Sequence, residues 1–379
     1  MTDRSRTALA AVAEVGGGMT LSSVELDELR DDEVLVQVVA AGLCHTDSSA
    51  AAGVIPFPLP GVLGHEGAGR VLAVGTGVRR TKPGDAVLLS FTSCGRCTSC
   101  RAGHPAYCDH HLPWNLLGGR RPDGSATLRR DGAELNAHFF GQSTFAEVAI
   151  ADERSVVVLP PDTTDDELID FAPLGCGLQT GAGAVLRILR PSPDSVLVVT
   201  GAGAVGLAAV MAAAAVSVST IVVVDRVESR LELAAELGAT HIIDASTSDT
   251  AEAIAAITGG LGASHAVETT GSTAVLEMLI GALSVRGTVA VIGAPRAGSR
   301  ASFDVNSHLP GRSIVGVTLG DSEPEQFIPE LIALYRAGRF PFPRLERRYP
   351  FTEIEKALAD ASSGATIKPV LVMSHAEAK

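Results

Sequence analysis

Apolar and polar positions follow two different rhythms along the chain. Up to about residue 160, short β-branched runs such as EGAGRVLAVGTGV are broken by glycine and by turns such as Pro83-Gly84-Asp85. This spacing predicts a β-barrel-like domain of short strands. From about residue 178, apolar strands such as TIVVVDR alternate with helical patterns such as ESRLELAAELG. The alternation predicts βαβ units around a parallel sheet.

Two segments need a separate interpretation. Residues 109–142 are polar and rich in glycine and arginine, which predicts a long surface loop. The run from Ser195 to Val224 carries no charge over about 30 residues, a length that a transmembrane helix would also have. Glycines interrupt this run, and β-branched stretches flank its alanine-rich middle. The pattern therefore favours a strand, a turn, a helix and a second strand inside a folded domain.

The composition is that of a globular protein with a large core. Apolar residues make up 46% of the 379 residues and charged residues 19%, and the length suits two domains. The formal net charge of -13 argues against a general affinity for nucleic acid or for anionic membranes. The N-terminal apolar stretch is short and is interrupted by Glu14, so it does not predict a signal peptide. We expect a cytoplasmic protein.

The pattern G-x-G-x-x-G occurs at residues 201–206, between a β-branched strand and an alanine-rich helix. Gly201 permits the tight turn, Gly203 lets the backbone approach a pyrophosphate, and Gly206 allows close packing of helix and strand. The helix N-terminus offers N–H groups and a partial positive charge to the phosphates. Candidate cofactor-binding residues of this turn are Gly201, Gly203, Val205 and Gly206.

An acidic residue, Asp225, follows at the end of the next predicted strand. A carboxylate there accepts hydrogen bonds from both ribose hydroxyls of NAD and repels the 2′-phosphate of NADP. The neighbouring Arg226 weakens this distinction, because an arginine accommodates a 2′-phosphate. The pattern favours NAD; the alternative is a glycine-rich turn followed by a surface aspartate.

Four of the six cysteines lie close together in the sequence. Cys94, Cys97, Cys100 and Cys108 follow the spacing C-x2-C-x2-C-x7-C. Four thiolates suit a tetrahedral Zn²⁺ without an open position, which is a structural site. An iron–sulfur cluster and two disulfides are the alternatives, but cysteines three residues apart do not readily pair, and nothing in the sequence indicates export. The spacing predicts a structural zinc site.

The other two cysteines are Cys44, which follows a strand, and Cys176, within PLGCG; His65 lies between them in GHEG. Two thiolates and an imidazole leave a fourth position open, as a catalytic zinc requires. Taken alone, each residue has a plainer explanation. A single cysteine is commonly a small buried apolar residue, and a single histidine commonly satisfies a hydrogen bond. Composition and spacing do not decide between these explanations.

Together the motifs resemble the zinc-containing medium-chain alcohol dehydrogenase family. GLCHTD, GHEGAG, the four-cysteine segment, the lone cysteine and GAGAVG with its later aspartate occur in the family's order, over nearly the whole chain. The resemblance implies an α/β protein with a GroES-like β-barrel catalytic domain and a Rossmann domain with a doubly wound parallel sheet. We expect the catalytic domain at 1–177, with a structural zinc lobe at 90–112 and completion by 321–379. The Rossmann domain is expected at 178–320.

The resemblance also implies a role for each residue of the scattered set. Cys44, His65 and Cys176 would bind the catalytic zinc. Glu66 would lie beside the ion as an acid and occasional ligand. Asp47 would hydrogen-bond the free nitrogen of His65 and fix its tautomer.

Further roles concern the proton and the cofactor. The resemblance implies that Thr46 takes the alcohol proton through its hydroxyl. His45 would contact the cofactor pyrophosphate, and Thr180 would lie against the nicotinamide. Arg230 would reach the adenosine ribose, and Lys368 the phosphates.

One position departs from the family pattern. Many relatives have a histidine at the position of Ser49, where it ends a proton relay at the surface. A serine is a poor base near neutral pH, so we expect the relay to end in water or at another group. The implied reaction is hydride transfer between a primary alcohol or its aldehyde and NAD, with two zinc ions per chain.

The expected substrate is a bulky apolar alcohol. Phe91 lies where family members line the pocket, and CDHHLPWNLLGGRRPDGS resembles a subgroup that acts on aryl and allylic alcohols. A rival is a thiol-adduct formaldehyde dehydrogenase of the same family, which needs charged anchors for a glutathione- or mycothiol-type substrate. Such anchors would have to come from Arg120, Arg121, Arg129 and Arg130, which we interpret as a solvated loop face.

A non-catalytic nucleotide-binding sensor on the same scaffold is the alternative from another class. The full set of metal ligands argues against it. The resemblance implies a homodimer or homotetramer, in which the strand near SIVGVTL joins the sheet of its partner.

Overall fold

The structure is a computed structural model that describes residues 7–374. The described residues form two densely packed units. The first contains the residues up to Cys176, Glu323–Pro329 and the residues from Pro343 onward. The second contains Gly177–Ser322 and Glu330–Phe342.

The strands of the first unit lie in two sheets. They are β1 (Thr7–Ala13), β2 (Met19–Leu26), β3 (Glu33–Gly42), β4 (Gly61–Val62), β5 (Gly67–Val74), β6 (Ala86–Leu89), β7 (Leu128–Arg130), β8 (Ala133–Leu135), β9 (Val148–Asp152), β10 (Val156–Val158), β17 (Glu346–Pro350) and β18 (Lys368–Val372). One sheet has the order β4-β1-β2-β7-β8 among the described residues. The other has the order β10-β6-β5-β3-β18-β17, with β9 also paired to β3.

The central strand of the larger sheet, β3, positions the first half of the site. Its sequence, EVLVQVVAAG, is almost continuously apolar and is buried nearly throughout, as expected for a strand covered on both faces. Strand β5 runs antiparallel to it, with Ala41 opposite Gly67. The end of β3 and the start of β5 are therefore neighbours, and the residues that follow Gly42 lie beside those that precede Gly67.

Helices of the first unit are short. They are α1 (His45–Ala51), α2 (Thr98–Arg101), α3 (Asp165–Phe171) and α10 (Ile354–Ser363). Helix α3 begins with a capping box, in which Thr164 accepts from Glu167 N and Glu167 accepts from Thr164 N. Three acidic residues in its first turn also suit the helix dipole.

The second unit is a parallel sheet with helices between its strands. Its elements are α4 (Gly177–Gly183), β11 (Val196–Thr200), α5 (Ala204–Ala215), β12 (Thr220–Asp225), α6 (Glu228–Glu236), β13 (His241–Asp244), α7 (Thr250–Ile257), β14 (Ala263–Glu268), α8 (Thr273–Ala282), β15 (Leu283–Val291) and β16 (Ser313–Gly316). The strand order is β13-β12-β11-β14-β15-β16 within residues 7–374, which is the doubly wound dinucleotide-binding order. The predicted fold class is confirmed.

The uncharged run at 195–224 forms β11, α5 and β12, as predicted. None of the helices formed by residues 7–374 has the length and apolarity that a bilayer crossing requires. Helix α9 (Pro324–Arg336) begins in the first unit and ends in the second. In its later part, Glu330 lies 3.6 Å from Arg187 within the second unit.

The prediction of a surface loop at 109–142 was wrong. The segment contains a π-helical turn, Leu112–Leu117, and the hairpin of β7 and β8. Several of its side chains are buried, among them Asn115, Arg121 and Phe139. The polar composition was misleading because the arginine at position 121 is buried and forms an ion pair with an acidic residue far away in the sequence. Arg121 lies 2.5 Å from Glu33.

Candidate active site

His65 occupies the centre of a buried cluster in the first unit. Its side chain is fully buried, and its Nδ1 lies 2.9 Å from Oδ1 of Asp47. Asp47 also accepts hydrogen bonds from the backbone N–H groups of Cys44 at 2.9 Å and Gly64 at 3.1 Å. Burial lowers the pKa of His65, but the neighbouring Asp47 and Cys44 together outweigh burial and raise the pKa to about 10. The carboxylate thus fixes the ring and leaves Nε2 pointing elsewhere.

Cys44, His65, Glu66 and Cys176 bring their ligand atoms within 4.8 Å of one another. Cys44 arrives from the end of β3, and His65 and Glu66 from the start of β5. Cys176 follows Gly175, whose carbonyl accepts a 2.7 Å hydrogen bond from Ser90 Oγ. A hydrogen bond between the two thiols lowers the pKa of Cys44 well below its ordinary value and raises that of Cys176.

The cluster passes a physical test for a metal. Nε2 of His65 is buried and has no hydrogen-bond partner, although its other ring nitrogen is well bonded. A buried, unsatisfied ring nitrogen next to two thiols is costly unless an ion completes it. The donor set of sulfur, nitrogen and an optional carboxylate is that of zinc with an open position. The residues present therefore fit the ion that the sequence pattern implies.

A buried ion pair borders the cluster. Nζ of Lys368 lies 3.0 and 2.8 Å from the two carboxylate oxygens of Glu66, and it donates to the carbonyl of Leu43 at 3.3 Å. Burial lowers the pKa of Lys368, but Glu66 and the two thiols, Cys44 and Cys176, together outweigh burial and raise the pKa. The ammonium of Lys368 is thus engaged with the cluster; its predicted contact with cofactor phosphates stays a prediction.

Three phenylalanines form an aromatic wall, and two of them contact His65 directly. The ring of Phe140 is stacked on the imidazole, with centroids 4.5 Å apart, and Phe139 meets it edge-on at 5.5 Å. Phe57 in turn packs edge-on against Phe139 at 5.1 Å. Phe91 is buried too, but its ring contact is with His111, so its place in the pocket stays a prediction.

The four-cysteine lobe is built locally. The four sulfurs lie within 4.8 Å of one another. Backbone N–H groups point at them, with Cys97 N donating to Cys94 Sγ at 3.3 Å and His110 N to Cys108 Sγ at 3.4 Å. Hydrogen bonds from the backbone lower the pKa of Cys97 to about 6. The closed four-sulfur set fits a structural zinc.

The glycine-rich turn of the second unit joins β11 to α5. Gly201 has φ +91°, a left-handed conformation that favours glycine, and a Cβ on Gly206 would lie 1.8 Å from the carbonyl oxygen of Gly201. A Cβ on Gly203 would meet nothing within 4 Å. Gly201 and Gly206 are therefore required by the turn itself, whereas Gly203 leaves its space open. Val205 is half-buried in the first turn of α5.

Asp225 closes this turn from the neighbouring strand. Its Oδ2 accepts from Ala202 N at 2.6 Å, and its Oδ1 accepts from the backbone N–H groups of Arg226 and Val227. A cavity of about 560 Å³ lies beside it, lined in part by Thr200, Val224, Thr270 and Met278. A carboxylate facing a largely apolar cavity at the carboxyl end of a parallel sheet is the arrangement in which a nucleoside binds.

The remaining predicted residues take separate positions. Thr46 is half-buried, and its hydroxyl lies 3.7 Å from Cys44 Sγ. His45 is exposed at the start of α1. Thr180 is buried in α4. On α6, Nε of Arg230 is buried without a hydrogen-bond partner.

Sequence reasoning missed three side chains that contact His65 or its backbone, among them Phe139, which meets its ring edge-on. Phe140 stacks on its ring, and the buried amide of Gln142 donates to its carbonyl oxygen at 3.0 Å. All three lie in the segment misread as a loop. The aromatic pair Phe139-Phe140 after a histidine was the available signal, since two adjacent large apolar residues are unusual in a solvated loop.

Comparisons with known proteins agree with this geometry. Residues 30–161 match the family model of the alcohol dehydrogenase GroES-like domain, and residues 204–336 match that of zinc-binding dehydrogenases. A geraniol dehydrogenase of Castellaniella defragrans is 42% identical over 366 residues, which cover 96% of each chain. This chain belongs to the zinc-dependent medium-chain alcohol dehydrogenase family.

Two solved structures of the alcohol dehydrogenase family are similar over nearly the whole chain. An alcohol dehydrogenase zinc-binding domain protein from Burkholderia ambifaria is 48% identical, with a TM-score of 0.94 over 98% of this chain and 100% of that one. A benzyl alcohol dehydrogenase from Acinetobacter calcoaceticus is 44% identical, with a TM-score of 0.93 over 97% and 100%. As a member of this alcohol dehydrogenase family, the chain is an oxidoreductase.

Proposed function

We propose that the chain transfers a hydride between NAD and a bulky apolar primary alcohol of the aryl or allylic kind, or its aldehyde. The observation that carries this proposal is the convergence of Cys44, His65 and Cys176 at one buried point, with Nε2 of His65 unpartnered. These residues would hold a catalytic zinc, and the lobe would hold a structural one. When bound, zinc supplies a Lewis acid for the substrate oxygen, and NAD supplies the hydride acceptor.

Residues of the chain itself would accept and pass on the proton that the alcohol releases. The hydroxyl of Thr46, at the edge of the cluster, would accept the proton of the alcohol. Asp47 would keep Nδ1 of His65 protonated, so that the other nitrogen is free to bind the ion. Because Ser49 on the same helix is a poor base, the proton would pass on to water.

The aromatic wall supports an apolar substrate. Phe139 and Phe140 line one side of His65 with buried rings, and aromatic walls with few polar groups suit ligands such as benzyl alcohol. Names of relatives point the same way, since one is a geraniol dehydrogenase and another a benzyl alcohol dehydrogenase.

The nucleotide turn supports NAD. Asp225 would exchange its hydrogen bond from Ala202 for the ribose hydroxyls, and its charge would repel a 2′-phosphate. The unpartnered Nε of Arg230 supports a contact of that side chain with the ribose. His45, Thr180 and Lys368 remain proposed cofactor contacts on the strength of the resemblance.

The thiol-adduct alternative finds no support in the arginines that it needs. Arg120 pairs with Glu134 at 2.5 Å, Arg121 with Glu33 at 2.5 Å, and Arg130 with Glu14 at 2.5 Å. Arg129 is exposed and lies 3.5 Å from Glu134. Three of the four guanidinium groups already have close carboxylate partners, so they are poor anchors for a charged thiol.

Two further proposals concern the setting. None of the six cysteines, all within residues 7–374, forms a disulfide, which suits a reducing cytoplasm. Strand β16 lies at the end of the sheet order among the described residues, and Ile314 on it is 40% exposed. Such an edge suits the pairing of two copies in a homodimer or homotetramer.

Steady-state assays test the proposed reaction. We expect NAD-dependent oxidation of benzyl alcohol with a kcat/KM well above that for ethanol, and a preference for NAD over NADP. Formaldehyde is to be assayed with and without glutathione or mycothiol. Activity that requires the added thiol would favour the alternative, and a benzyl alcohol rate no better than that of ethanol would refute the proposed substrate class.

A further inference from the structure

We propose that Gln142 and Phe140 are positioning residues that fix the imidazole of His65 in the orientation required by a metal. Both lie on one tight turn, residues 139–144, which packs against the segment that carries His65. The inference rests on the proposed function in one respect only, namely that the cluster at His65 binds a metal.

Gln142 holds the backbone on both sides of Glu66. Its Nε2 donates to the carbonyl oxygen of His65 at 3.0 Å and to that of Ser90 at 2.6 Å. Its Oε1 accepts from the N–H of Gly67 at 3.2 Å. The side chain is 1% exposed, so water does not replace these bonds if they are lost. One amide therefore ties the ligand segment to the end of β6.

Phe140 holds the ring of His65 rather than its backbone. The two rings are nearly parallel, with an interplanar angle of 25° and centroids 4.5 Å apart. Phe140 adopts φ +54°, a left-handed conformation that is strained for a large side chain. Such a conformation persists only where neighbouring contacts over-determine it, and it is found preferentially at functional sites.

The contacts that impose this conformation come from the ligand segment itself. Ser143 Oγ donates to the carbonyl of Val62 at 2.7 Å and accepts from Phe139 N at 2.9 Å. Thr144 N donates to the carbonyl of Gly64 at 3.0 Å. The turn thus follows the chain from Val62 to Gly67 and presents Phe140 to His65.

Each of the three contacts restrains a different part of His65. Asp47 fixes the tautomer through Nδ1, Phe140 fixes the plane of the ring, and Gln142 fixes the peptide that carries it. Together they set the direction in which Nε2 points. Partners that orient a metal-binding histidine typically contribute 10–100-fold to metal affinity or activity.

The test measures metal release from the zinc-loaded, full-length protein with an excess of a coloured chelator. The variants are Gln142→Glu, which keeps an acceptor but loses both donated hydrogen bonds, and Phe140→Leu, which keeps an apolar side chain without a ring. We expect each to release the cluster metal about 10-fold faster or more, with an unchanged rate from the four-cysteine lobe. The absorption spectrum of the cobalt-substituted cluster should shift as well.

Asn115→Asp is the matched control. Asn115 is likewise a buried amide, and its hydrogen bonds join it to backbone groups of Thr92 and His111 rather than to His65. Asn115→Asp introduces a buried carboxyl group, as Gln142→Glu does, but not at His65. The cluster should therefore release its metal at the wild-type rate.

Unchanged cluster release and an unchanged cobalt spectrum in folded Gln142→Glu and Phe140→Leu would overturn the inference. So would equal acceleration in Asn115→Asp. If Gln142→Glu does not fold, Phe140→Leu decides alone. Because metal release needs no turnover, these ratios are decisive whether or not the wild-type protein oxidises any alcohol.

Discussion

The two cysteine sites hold similar atoms but are built in opposite ways. The lobe takes its four thiols from 15 consecutive residues, Cys94–Cys108, and three of the four are only partly buried. The scattered cluster takes its ligands from residues 44, 65, 66 and 176, and three of these four are buried. Backbone N–H groups bond to the sulfurs of the lobe, whereas the charged side chains of Asp47 and Lys368 pair with His65 and Glu66 in the cluster.

The lobe is built to retain a metal ion, whereas the cluster is built so that a bound metal ion can also contact a substrate. Backbone N–H groups in a tight turn come with the chain's own geometry, so a closed four-sulfur site needs little else. The cluster keeps a position open, and its ligands are aimed by Asp47, Lys368 and the 139–144 turn. Loss of a lobe cysteine should therefore mainly reduce stability, whereas loss of a metal ligand of the cluster should mainly reduce catalytic activity.

The largest contrast is expected between His65→Ala and Cys97→Ser. Without its imidazole the cluster loses a ligand, so we expect no measurable alcohol oxidation, with about one zinc per chain retained by the lobe. Cys97→Ser should lose the lobe metal and unfold at a lower temperature. Elemental analysis and thermal unfolding measure both. Substantial activity in His65→Ala would contradict the assignment of the cluster.

Lys368→Met is expected to destabilise the first unit strongly. Removing one partner of a buried ion pair leaves the Glu66 carboxylate uncompensated, which costs about 3–5 kcal/mol in the free energy of unfolding. The control is Lys82→Met, since Lys82 forms a surface pair with Asp85 worth roughly 0.2–1 kcal/mol. Chemical denaturation at neutral pH compares the two. Equal losses of unfolding free energy would show that the buried pair contributes no more than the surface pair. Adding Glu66→Gln to the Lys368→Met variant should recover part of the lost stability.

Lowering the pH should reduce the free energy of unfolding through protonation of His138. Burial lowers the pKa of this histidine from 6.5 to about 4, so the folded state holds it neutral while the unfolded state takes up a proton. Stability is therefore present above pH 6.5 and is lost as the pH falls towards 4, by about 3 kcal/mol at most.

The variant His138→Gln removes this titration. The difference in unfolding free energy between wild type and variant should shrink steadily between pH 7 and pH 4. In the lobe, His110→Gln serves as a control because that ring is exposed to water in the folded state. If the difference in unfolding free energy between wild type and His138→Gln does not change with pH, His138 is not the cause of the acid sensitivity.

Asp47→Asn should have the smallest effect of the four. The amide keeps the shape but weakens the bond to Nδ1 of His65, and loss of such a partner typically costs about 10–100-fold in activity or metal affinity. We expect a lower kcat with a nearly unchanged KM for the alcohol. Asp109→Asn, an exposed change in the lobe, should leave both values unaltered.

Local patterns in the sequence predicted the features that local geometry controls. The alternation of strands and helices after residue 178, the turn at 201–206 and the closely spaced cysteines each depend on neighbours in the chain. Side-chain periodicity, glycine conformations and C-x2-C spacing act over a few residues, so they are legible without a structure. The scattered ligands were predictable only through the family resemblance.

The misread segment at 109–142 shows where this reasoning fails. Its polar residues suggested exposure to solvent. Arg121 is instead buried against Glu33 and Asp27, which lie 88 and 94 residues away in the sequence. The fold also pairs Lys368 with Glu66, a partner that the sequence did not indicate, while its contact with the cofactor phosphates stays a prediction. Whether a charged side chain meets solvent or a partner depends on which strands become neighbours, and no short window of sequence contains that information.

The sequence by itself determined the two kinds of domain, the nucleotide turn and the lobe, because each follows from contacts between near neighbours. Only the tertiary structure decided that Cys44, His65 and Cys176 converge, and that Gln142 and Phe140 hold the ligand between them. The pairing of β3 with β5 and the approach of the 139–144 turn create these contacts across long stretches of chain. The physical reason is that a metal site of this kind is defined by direction and distance in space, which the order of residues does not state.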